Sequence, residues 1–445
     1  MNRNDWPAGV RALAGDLPPQ ATATFAIRIA AIAAELTCLL VLARTFGTEA
    51  YGSYAFAMSL VAVVVVPAVF GLDRLLVREV AAARASGERG LLKGLLVRSA
   101  WITVLASIAI SSTLYVVAAW TELVRADLRS ALALAALLVP IVALLRLQQA
   151  GLQGLGHVAV GLAPESLVQP IAMTTLAATV GIFAWAPRTA DIALMLQICA
   201  AGAALTVATL LLRRRLPAGL AAEPARHRMK AWLAAGSVFM WLVGMSAALV
   251  NIDTLLVGML LGPAQAGSYR VAGQLAMLVG FPLAAVSLAM APSIAALHAT
   301  GQREALRARA RSAARVIVAV SLLIAVVVVV VGRSLLAALG PGFESAFPAT
   351  LVLMAAYLFH ASMATSTYLL FMTAHERLAA GIFTLGVAVN LAGGLLLIPR
   401  FGIVGGAIAA GTGLVLVSAA SALCAWRKTG INATILGSAR RTAST

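Results

Sequence analysis

Long runs of apolar residues separated by short polar turns dominate the pattern along this chain. Many runs extend over about 20 residues, which as a helix crosses the roughly 30 Å hydrocarbon layer of a bilayer. A bilayer offers the backbone no hydrogen-bond partner, so each run is predicted to be α-helical rather than a barrel strand of alternating polarity. The predicted spans, about twelve in all, are 22–44, 52–73, 99–120, 130–150, 162–186, 191–212, 232–261, 267–294, 316–339, 348–372, 378–398 and 403–426.

Composition changes this picture only by excluding a soluble protein. Hydrophobic residues make up 62% of the chain and charged residues 11%, whereas a soluble globular protein carries about 25% charged residues. So little charge could not cover a folded surface in water. The segment up to Gln20 is polar and leads into no short apolar stretch of the kind found in signal peptides, so we expect the first span to be retained.

The net charge of +17 follows from topology rather than from nucleic-acid binding. Most of the 33 Lys and Arg residues fall in alternate loops, their flanks or the termini. The positive-inside rule then predicts a multi-pass protein of the cell inner membrane with both termini in the cytoplasm, and an even number of spans. Contact of these loops with anionic lipid headgroups is a secondary consequence. The clusters include Arg78, Arg84, Arg89 and Lys93, then Arg213, Arg214, Arg215, Arg226, Arg228 and Lys230, then Arg303, Arg307, Arg309 and Arg311.

A short internal repeat divides the chain. The stretch that follows the first span recurs after the seventh at one constant offset, with two glycines, a serine, a tyrosine and an alanine in the same order. Each half then holds six spans and enters the membrane from the same side. The matched pairs are Gly47 and Gly262, Gly52 and Gly267, Ser53 and Ser268, Tyr54 and Tyr269, and Ala57 and Ala272.

The repeat predicts an all-α membrane protein of two six-helix lobes related by a pseudo-two-fold axis along the membrane normal. A substrate path would run between the lobes, and rocking of one lobe against the other would give alternating access. The repeat tyrosines are expected at interfacial depth. The predicted segments are a cytoplasmic N-terminus at 1–21, an N-lobe at 22–212, a linker at 213–231, a C-lobe at 232–426 and a tail at 427–445.

Several stretches resemble the polysaccharide-export branch of the multidrug/oligosaccharidyl-lipid/polysaccharide exporter superfamily. Each stretch consists mainly of small and apolar residues, and the resemblance depends on their order and spacing over most of the chain. The stretches are 42–60, 71–79, 339–348 and, together with Asn390, 397–409.

This resemblance implies a transporter that moves an oligosaccharide on a polyprenyl diphosphate from the cytoplasmic to the periplasmic leaflet. Relatives that flip the peptidoglycan precursor typically have fourteen spans. About twelve spans therefore favour the branch that serves O-antigen or exopolysaccharide synthesis. The implied partners are membrane lipids, the lipid-linked oligosaccharide, and a polysaccharide polymerase or glycosyltransferases.

Ionisable residues within spans are the candidate site residues, because charge inside a bilayer is costly and is usually retained for function. Arg28 and Glu35 lie seven residues apart, near one face of the first helix. Arg28 either binds diphosphate, which guanidinium suits, or reaches back to the cytoplasmic headgroups. Glu35 lies deeper, and either forms a structural ion pair or lines the cavity as a coupling-ion site.

Asp253, beside Asn251 in the seventh span, is the second coupling-ion candidate, with a buried ion pair as the alternative. Arg270 in the eighth span either binds substrate or reaches the periplasmic interface. Several polar side chains could bond sugar hydroxyls or join helices. The leading candidates are Gln148, Gln274 and Asn390, and further ones are Gln149, Gln153 and Gln169.

No enzyme signature is found. The sequence contains no phosphate-binding Gly-rich loop with Lys and no nucleophile motif, and its three cysteines lie in apolar runs, so neither a metal nor a cofactor is expected. Two other functions stay open: a cation-coupled multidrug exporter of the same superfamily, and a membrane scaffold for polysaccharide synthesis that transports nothing.

Overall fold

The computed structural model describes residues 19–120, 128–283, 286, 303–372 and 376–429. Within these ranges the fold is all-helical, without a strand. The predicted N-terminal segment up to residue 18, the end of the eighth span and most of the C-terminal tail lie outside the described residues. The helices are α1 Pro19–Val69, α2 Leu72–Ser86, α3 Arg89–Trp120, α4 Arg129–Gly154, α5 Val158–Phe183, α6 Ala190–Arg215, α7 Met229–Leu261, α8 Pro263–Met277, α9 Arg303–Leu339, α10 Phe347–Met372 and α11 Glu376–Thr429.

Nine helices in the described ranges are long and apolar enough to cross a membrane, so the protein is a multi-pass membrane protein. Two of them are interrupted by a non-helical glycine: Gly47 in α1, with φ 73° and ψ 179°, and Gly402 in α11, with φ 59° and ψ −141°. The first two predicted spans therefore belong to one kinked helix, and so do the last two. The basic stretch after the eighth span is not a separate surface helix, because α9 runs on without a break from Arg303.

The repeat is also a repeat of backbone conformation. Gly262, between α7 and α8, has φ 98° and ψ 174°, close to the values of its sequence partner Gly47. This region of φ and ψ is open almost only to glycine. The repeated order of residues therefore encodes the same sharp turn twice, once inside α1 and once between α7 and α8.

The second predicted span ends earlier than its apolar run indicates. Phe70 and Gly71 both have positive φ, and they separate α1 from α2. The short helix α2 buries one apolar side, formed by Leu72, Leu75, Leu76, Val80 and Ala83, while it carries basic residues elsewhere. Asp73 therefore lies in the first turn of an amphipathic helix and not at the end of a span.

The linker between the halves is bound to the start of α3. The Arg226 N–H donates to the Gly90 carbonyl at 2.9 Å, and the Lys93 ammonium donates to the Glu223 carbonyl at 2.8 Å. The Arg226 carbonyl lies so close to Gly94 that a Cβ there would overlap it. The predicted linker is therefore ordered against the N-terminal half where the structure describes these contacts.

Several apolar clusters hold the helices together, and three of them are the largest among the described residues. One lies mostly within the N-terminal half around Leu75, Leu138 and Leu194, and it also includes Trp232 of α7. A second lies within the C-terminal half around Val257 and Leu353. The third joins the halves, and includes side chains of α1, α5, α6, α8 and α9: Leu42, Met173, Leu196, Val271 and Leu336.

Many large apolar side chains do not pack against another helix and face outward instead. Trp120 is 83% exposed, Ile182 73% and Val330 72%, fractions far too high for the surface of a soluble protein at so many sites. A hydrocarbon solvent accounts for this arrangement, because such side chains lose nothing by facing lipid tails.

The two halves approach each other closely at the repeat itself. An added Cβ on Gly52 would overlap the Pro263 carbonyl oxygen, and one on Gly267 would lie 2.6 Å from the Thr48 carbonyl oxygen. Gly52 and Gly267 are sequence partners in the repeat, and each borders the other. The backbones can meet here only because both residues lack a side chain.

We predict that Gly52→Ala lowers the Tm of the detergent-solubilised protein, because overpacking a tight contact costs about 1–3 kcal/mol. Gly202→Ala is the matched control, since an added Cβ there meets nothing within 4 Å and alanine favours a helix by about 1 kcal/mol. Fluorescence-detected size-exclusion after heating measures both. Equal Tm values for the two variants would contradict the contact.

Candidate functional site

A cavity that contains polar and charged groups lies within the helix assembly, and it comprises three neighbouring compartments that share lining residues. The N-terminal compartment, of about 430 Å³, lies mainly among α1, α4, α5 and α6. The C-terminal compartment, of about 300 Å³, is lined by α1, α7, α8, α10 and α11. The lateral compartment, of about 390 Å³, lies beside the first half of α1 and the end of α8. Glu35 and Gln274 line all three.

Polar groups in the C-terminal compartment bond one another. The Tyr269 hydroxyl donates to Asp253 Oδ2 at 2.7 Å, and the Thr254 N–H donates to Asp253 Oδ1 at 2.9 Å. Arg270 Nη1 donates to Asn251 Oδ1 at 3.3 Å. The buried carboxyl of Asp253 is therefore fixed by two donors, as a polar group inside a membrane protein requires.

The N-terminal compartment contains an ion pair and a group of amides. Arg146 Nε lies 3.6 Å from Glu165 Oε1, with about 30% of each side chain exposed. The Tyr54 hydroxyl donates to Gln197 Oε1 at 3.1 Å. Gln169 lines the same compartment, and its Oε1 is buried without a partner among the described residues. Arg270 reaches this compartment as well, although it belongs to the C-terminal half.

An irregular turn in α5 carries Glu165. Residues Pro164–Val168 form a π-helical turn between two α-helical parts. Pro164 cannot donate a backbone hydrogen bond, which loosens the helix at this point. π-turns of this kind are frequent at functional sites, because the wider turn changes where the following side chains point. Glu165 and Gln169 both line the compartment from this segment.

The lateral compartment is the most apolar of the three. Arg28 lines it together with apolar side chains of α1 and of the segment that follows α8, among them Ile27, Leu36 and Phe281. His360 also lines this compartment, and its Nδ1 forms a hydrogen bond of 2.7 Å with Ser418 Oγ. Arg28 itself is exposed.

Five of the seven leading sequence-predicted residues line this cavity and two do not. Arg28, Glu35, Asp253, Arg270 and Gln274 line one or more compartments. Arg270 bonds Asn251 and lines the cavity.

The two others lie elsewhere. Asn390 is fully buried and donates from Nδ2 to the Leu249 carbonyl at 3.3 Å, which joins α11 to α7. Gln148 is half-buried on α4 and lines none of the three compartments. Helix geometry is the reason, because Gln148 is two positions from Arg146 and therefore points away from the side that carries it.

Sequence reasoning missed Arg146, Glu165 and Gln197. Arg146 counts as the flank of a basic loop when only the distribution of Lys and Arg is considered, but it lies eight residues before the end of α4 at Gly154. An acid directly after a proline within a span, as at Pro164 and Glu165, was the signal that could have found this segment. Gln197 looked like an ordinary polar residue of an apolar helix.

The repeat tyrosines face the interior of the protein. Tyr269 is 1% exposed and lines the C-terminal compartment, and Tyr54 lines the N-terminal one. Each donates its hydroxyl to a side chain of its own half, Asp253 or Gln197. Both side chains therefore belong to the cavity wall, which the sequence did not indicate.

Comparison with known proteins agrees with this architecture. A family model described as polysaccharide biosynthesis protein matches residues 21–298, which is more than half of the chain. The chain belongs to this polysaccharide biosynthesis protein family. A second model, MatE, matches residues 242–399, and this places the family member within the multidrug/oligosaccharidyl-lipid/polysaccharide exporter (MOP) superfamily. The protein is thus a transporter of that superfamily and not an enzyme. A search among curated proteins gave no match.

Solved structures share the fold at low sequence identity. An inward-facing multidrug resistance MATE family transporter of the MOP superfamily gives a TM-score of 0.73 at 11% identity, over 90% of this chain and 94% of that one. The outward-facing conformation of such a transporter gives a TM-score of 0.63 at 12% identity, over 95% of this chain and 98% of that one. A MOP superfamily transporter from Pyrococcus furiosus gives a TM-score of 0.61 at 10% identity, over 95% of this chain and 98% of that one. That protein is described by the reverse polarity of its binding pocket. These likenesses show the fold of this polysaccharide biosynthesis family member and nothing about its substrate.

Water access to the cavity can be tested by cysteine labelling. In a background without Cys38, Cys199 and Cys424, we predict that Glu35→Cys reacts with a charged methanethiosulfonate reagent and that Asn390→Cys does not. Glu35 faces all three compartments, whereas Asn390 is buried between helices. The mass of the intact protein after labelling in detergent measures the reaction. Equal labelling at the two positions would contradict the cavity.

Proposed function

We propose that this protein moves a polyprenyl-diphosphate-linked oligosaccharide from the cytoplasmic to the periplasmic leaflet of the inner membrane, for O-antigen or exopolysaccharide synthesis. The observation that carries the proposal is an internal cavity whose lining includes Arg28, Arg146 and Arg270, inside a member of the polysaccharide biosynthesis protein family.

The physical cost of this transport lies in the headgroup. A diphosphate and a hydroxyl-rich glycan lose their hydration if they pass through hydrocarbon, so a polar path must replace it. One guanidinium group can bind two phosphate oxygens at once, and it keeps its charge when partly buried. Arg28 faces the lateral compartment, whose apolar walls suit a prenyl chain, and Arg270 faces the two others.

We further propose twelve spans in two lobes with both termini in the cytoplasm. The interrupted helices α1 and α11 would each cross the membrane twice, and α8 would complete the count. The equivalent turns at Gly47 and Gly262, and the contact of Gly52 with Gly267, support a pseudo-two-fold axis between the lobes. The lobes would extend over 22–212 and 232–426, joined by the linker 213–231, and rocking about this axis would give alternating access.

Glu35 and Asp253 are the proposed coupling-ion sites. Both line the C-terminal compartment, where Asp253 is already held by Tyr269 and Thr254. No nucleotide-binding motif is present in the sequence, so an ion gradient, the membrane potential or substrate pull would supply the energy. A polymerase or glycosyltransferases would act before and after this step.

The acids favour a second candidate function, a cation-coupled multidrug exporter. Glu35, Glu165 and Asp253 balance the three cavity arginines in number, and a cationic drug would bind to them. The arginines favour an anionic substrate instead, and the family of the chain agrees with them. We therefore rank the lipid-linked oligosaccharide first.

Deletion of the gene tests the proposal. In a host without a second copy, we expect loss of surface polysaccharide and accumulation of lipid-linked glycan on the cytoplasmic face, because the substrate is still made but not moved. Carbohydrate analysis of the cell surface and mass spectrometry of extracted lipids measure both. Unchanged polysaccharide together with new sensitivity to cationic drugs would favour the exporter.

Variants of the cavity charges test the site. Arg28→Ala and Glu35→Ala are expected to abolish complementation of the deletion at normal protein levels, because each removes a charge that faces the substrate path. Arg333→Ala, an exposed arginine on α9 outside the three compartments, is the matched control and should complement fully. Full complementation by both cavity variants would show that the two residues only anchor or pack the helix.

A further inference from the structure

The N-terminal and C-terminal compartments differ in how far their polar groups satisfy one another. In the C-terminal compartment, Asp253 has two donors and Asn251 accepts from Arg270. In the N-terminal compartment, Gln169 Oε1 has no partner among the described residues. A buried amide oxygen without a donor is costly, and it is tolerated where a ligand or ordered water supplies the donor.

The ion pair of Arg146 and Glu165, which lines the same compartment as Gln169, leaves much of its hydrogen-bonding capacity unused. Arg146 and Glu165 meet through one pair of atoms at 3.6 Å, although a guanidinium has five N–H donors and a carboxylate has about four acceptor sites. With about 30% of each side chain exposed, donors and acceptors remain open to the cavity. The pair carries no net charge, so it offers little attraction to an anion.

This set of groups suits hydroxyls better than phosphate. A sugar hydroxyl donates one hydrogen bond and accepts others, so it pairs with both members of an ion pair and with both ends of an amide. The compartment volume of about 430 Å³ lies within the ~300–1,000 Å³ usual for small-molecule sites. Tyr54 and Gln197 also line this compartment, and the Tyr54 hydroxyl donates to Gln197 Oε1 at 3.1 Å.

We propose that the N-terminal compartment is a sugar-binding subsite, in which Gln169, Arg146 and Glu165 determine which glycan is accepted. This inference rests on the proposed function, and it assigns the glycan to one half of the molecule rather than to the whole cavity. The selectivity arises because a binding site built to bond a hydroxyl rejects an analogue that lacks it.

The repeat partners of these residues strengthen the assignment. The bounds of α4 and of α10 differ by a constant 218 residues (347 − 129 and 372 − 154), as do the starts of α5 and α11, and at that offset Arg146 corresponds to Ala364 and Glu165 to Phe383. The C-terminal half therefore has no equivalent ion pair at these positions. The sugar-binding groups belong to one half only, which is the expected result when duplicated halves take different parts of one substrate.

Binding by the full-length protein in nanodiscs tests the inference. Two probes are compared by native mass spectrometry: the glycan-bearing lipid extracted from the gene-deletion strain, and undecaprenyl diphosphate without a glycan. The variants are Gln169→Leu and the double variant Arg146→Gln/Glu165→Gln, which removes the ion pair without changing net charge. Gln265→Leu, an exposed residue at the start of α8, is the matched control.

The expected result is a selective loss of glycan binding. Gln169→Leu should weaken binding of the glycan-bearing lipid about two- to tenfold, the usual effect of one neutral hydrogen bond. The double variant should weaken it about tenfold or more, because charged groups form stronger hydrogen bonds. Binding of undecaprenyl diphosphate should stay within twofold of the unmodified protein for each variant.

The possible outcomes distinguish a failure of this inference from a failure of the proposed function. If the deletion strain accumulates no glycan-bearing lipid, or the unmodified protein does not bind it, the proposed function fails and the subsite with it. If the unmodified protein binds that lipid and the variants bind both probes equally well, the function stands and the subsite is wrong. An equal loss for both probes would show a structural role and would also overturn the subsite.

Discussion

The structure depends on one constraint, which is that hydrocarbon satisfies neither backbone amides nor charged side chains. Backbone groups are satisfied within long helices, and the charged side chains that enter the membrane region gather around one internal cavity. Apolar side chains as large as Trp120 can then face outward. A soluble protein would place these two classes of residue the other way round.

Glycine is what allows the helices to turn and to meet under this constraint. Gly47 and Gly262 adopt a backbone conformation that other residues rarely reach, and they redirect the chain without a long loop. Gly52 and Gly267 then let the two halves meet backbone to backbone. The same short stretch thus supplies a turn and a contact in each half, while the tyrosines that follow, Tyr54 and Tyr269, line the cavity.

The cavity combines two kinds of polar environment. On the C-terminal side, Asp253 and Asn251 have their partners within the protein, which suits a structural or coupling role. On the N-terminal side, Arg146 and Glu165 keep open donors and acceptors, which suits a ligand rich in hydroxyls. Arg270 borders both and is placed to connect them. A single substrate with a charged and a neutral part would make use of this division.

The sequence by itself determined the membrane class, the helical fold and the repeat, because hydrophobic run length and residue order are local properties. It also indicated Glu35 and Asp253, since an acid within an apolar run is costly in a bilayer and faces the interior of the helix assembly. Only the tertiary structure decided that Asn390 joins helices and that Arg146 faces the cavity. Which side of a membrane helix points inward depends on its packing against distant helices, and an apolar run that is apolar on all sides carries no record of that direction.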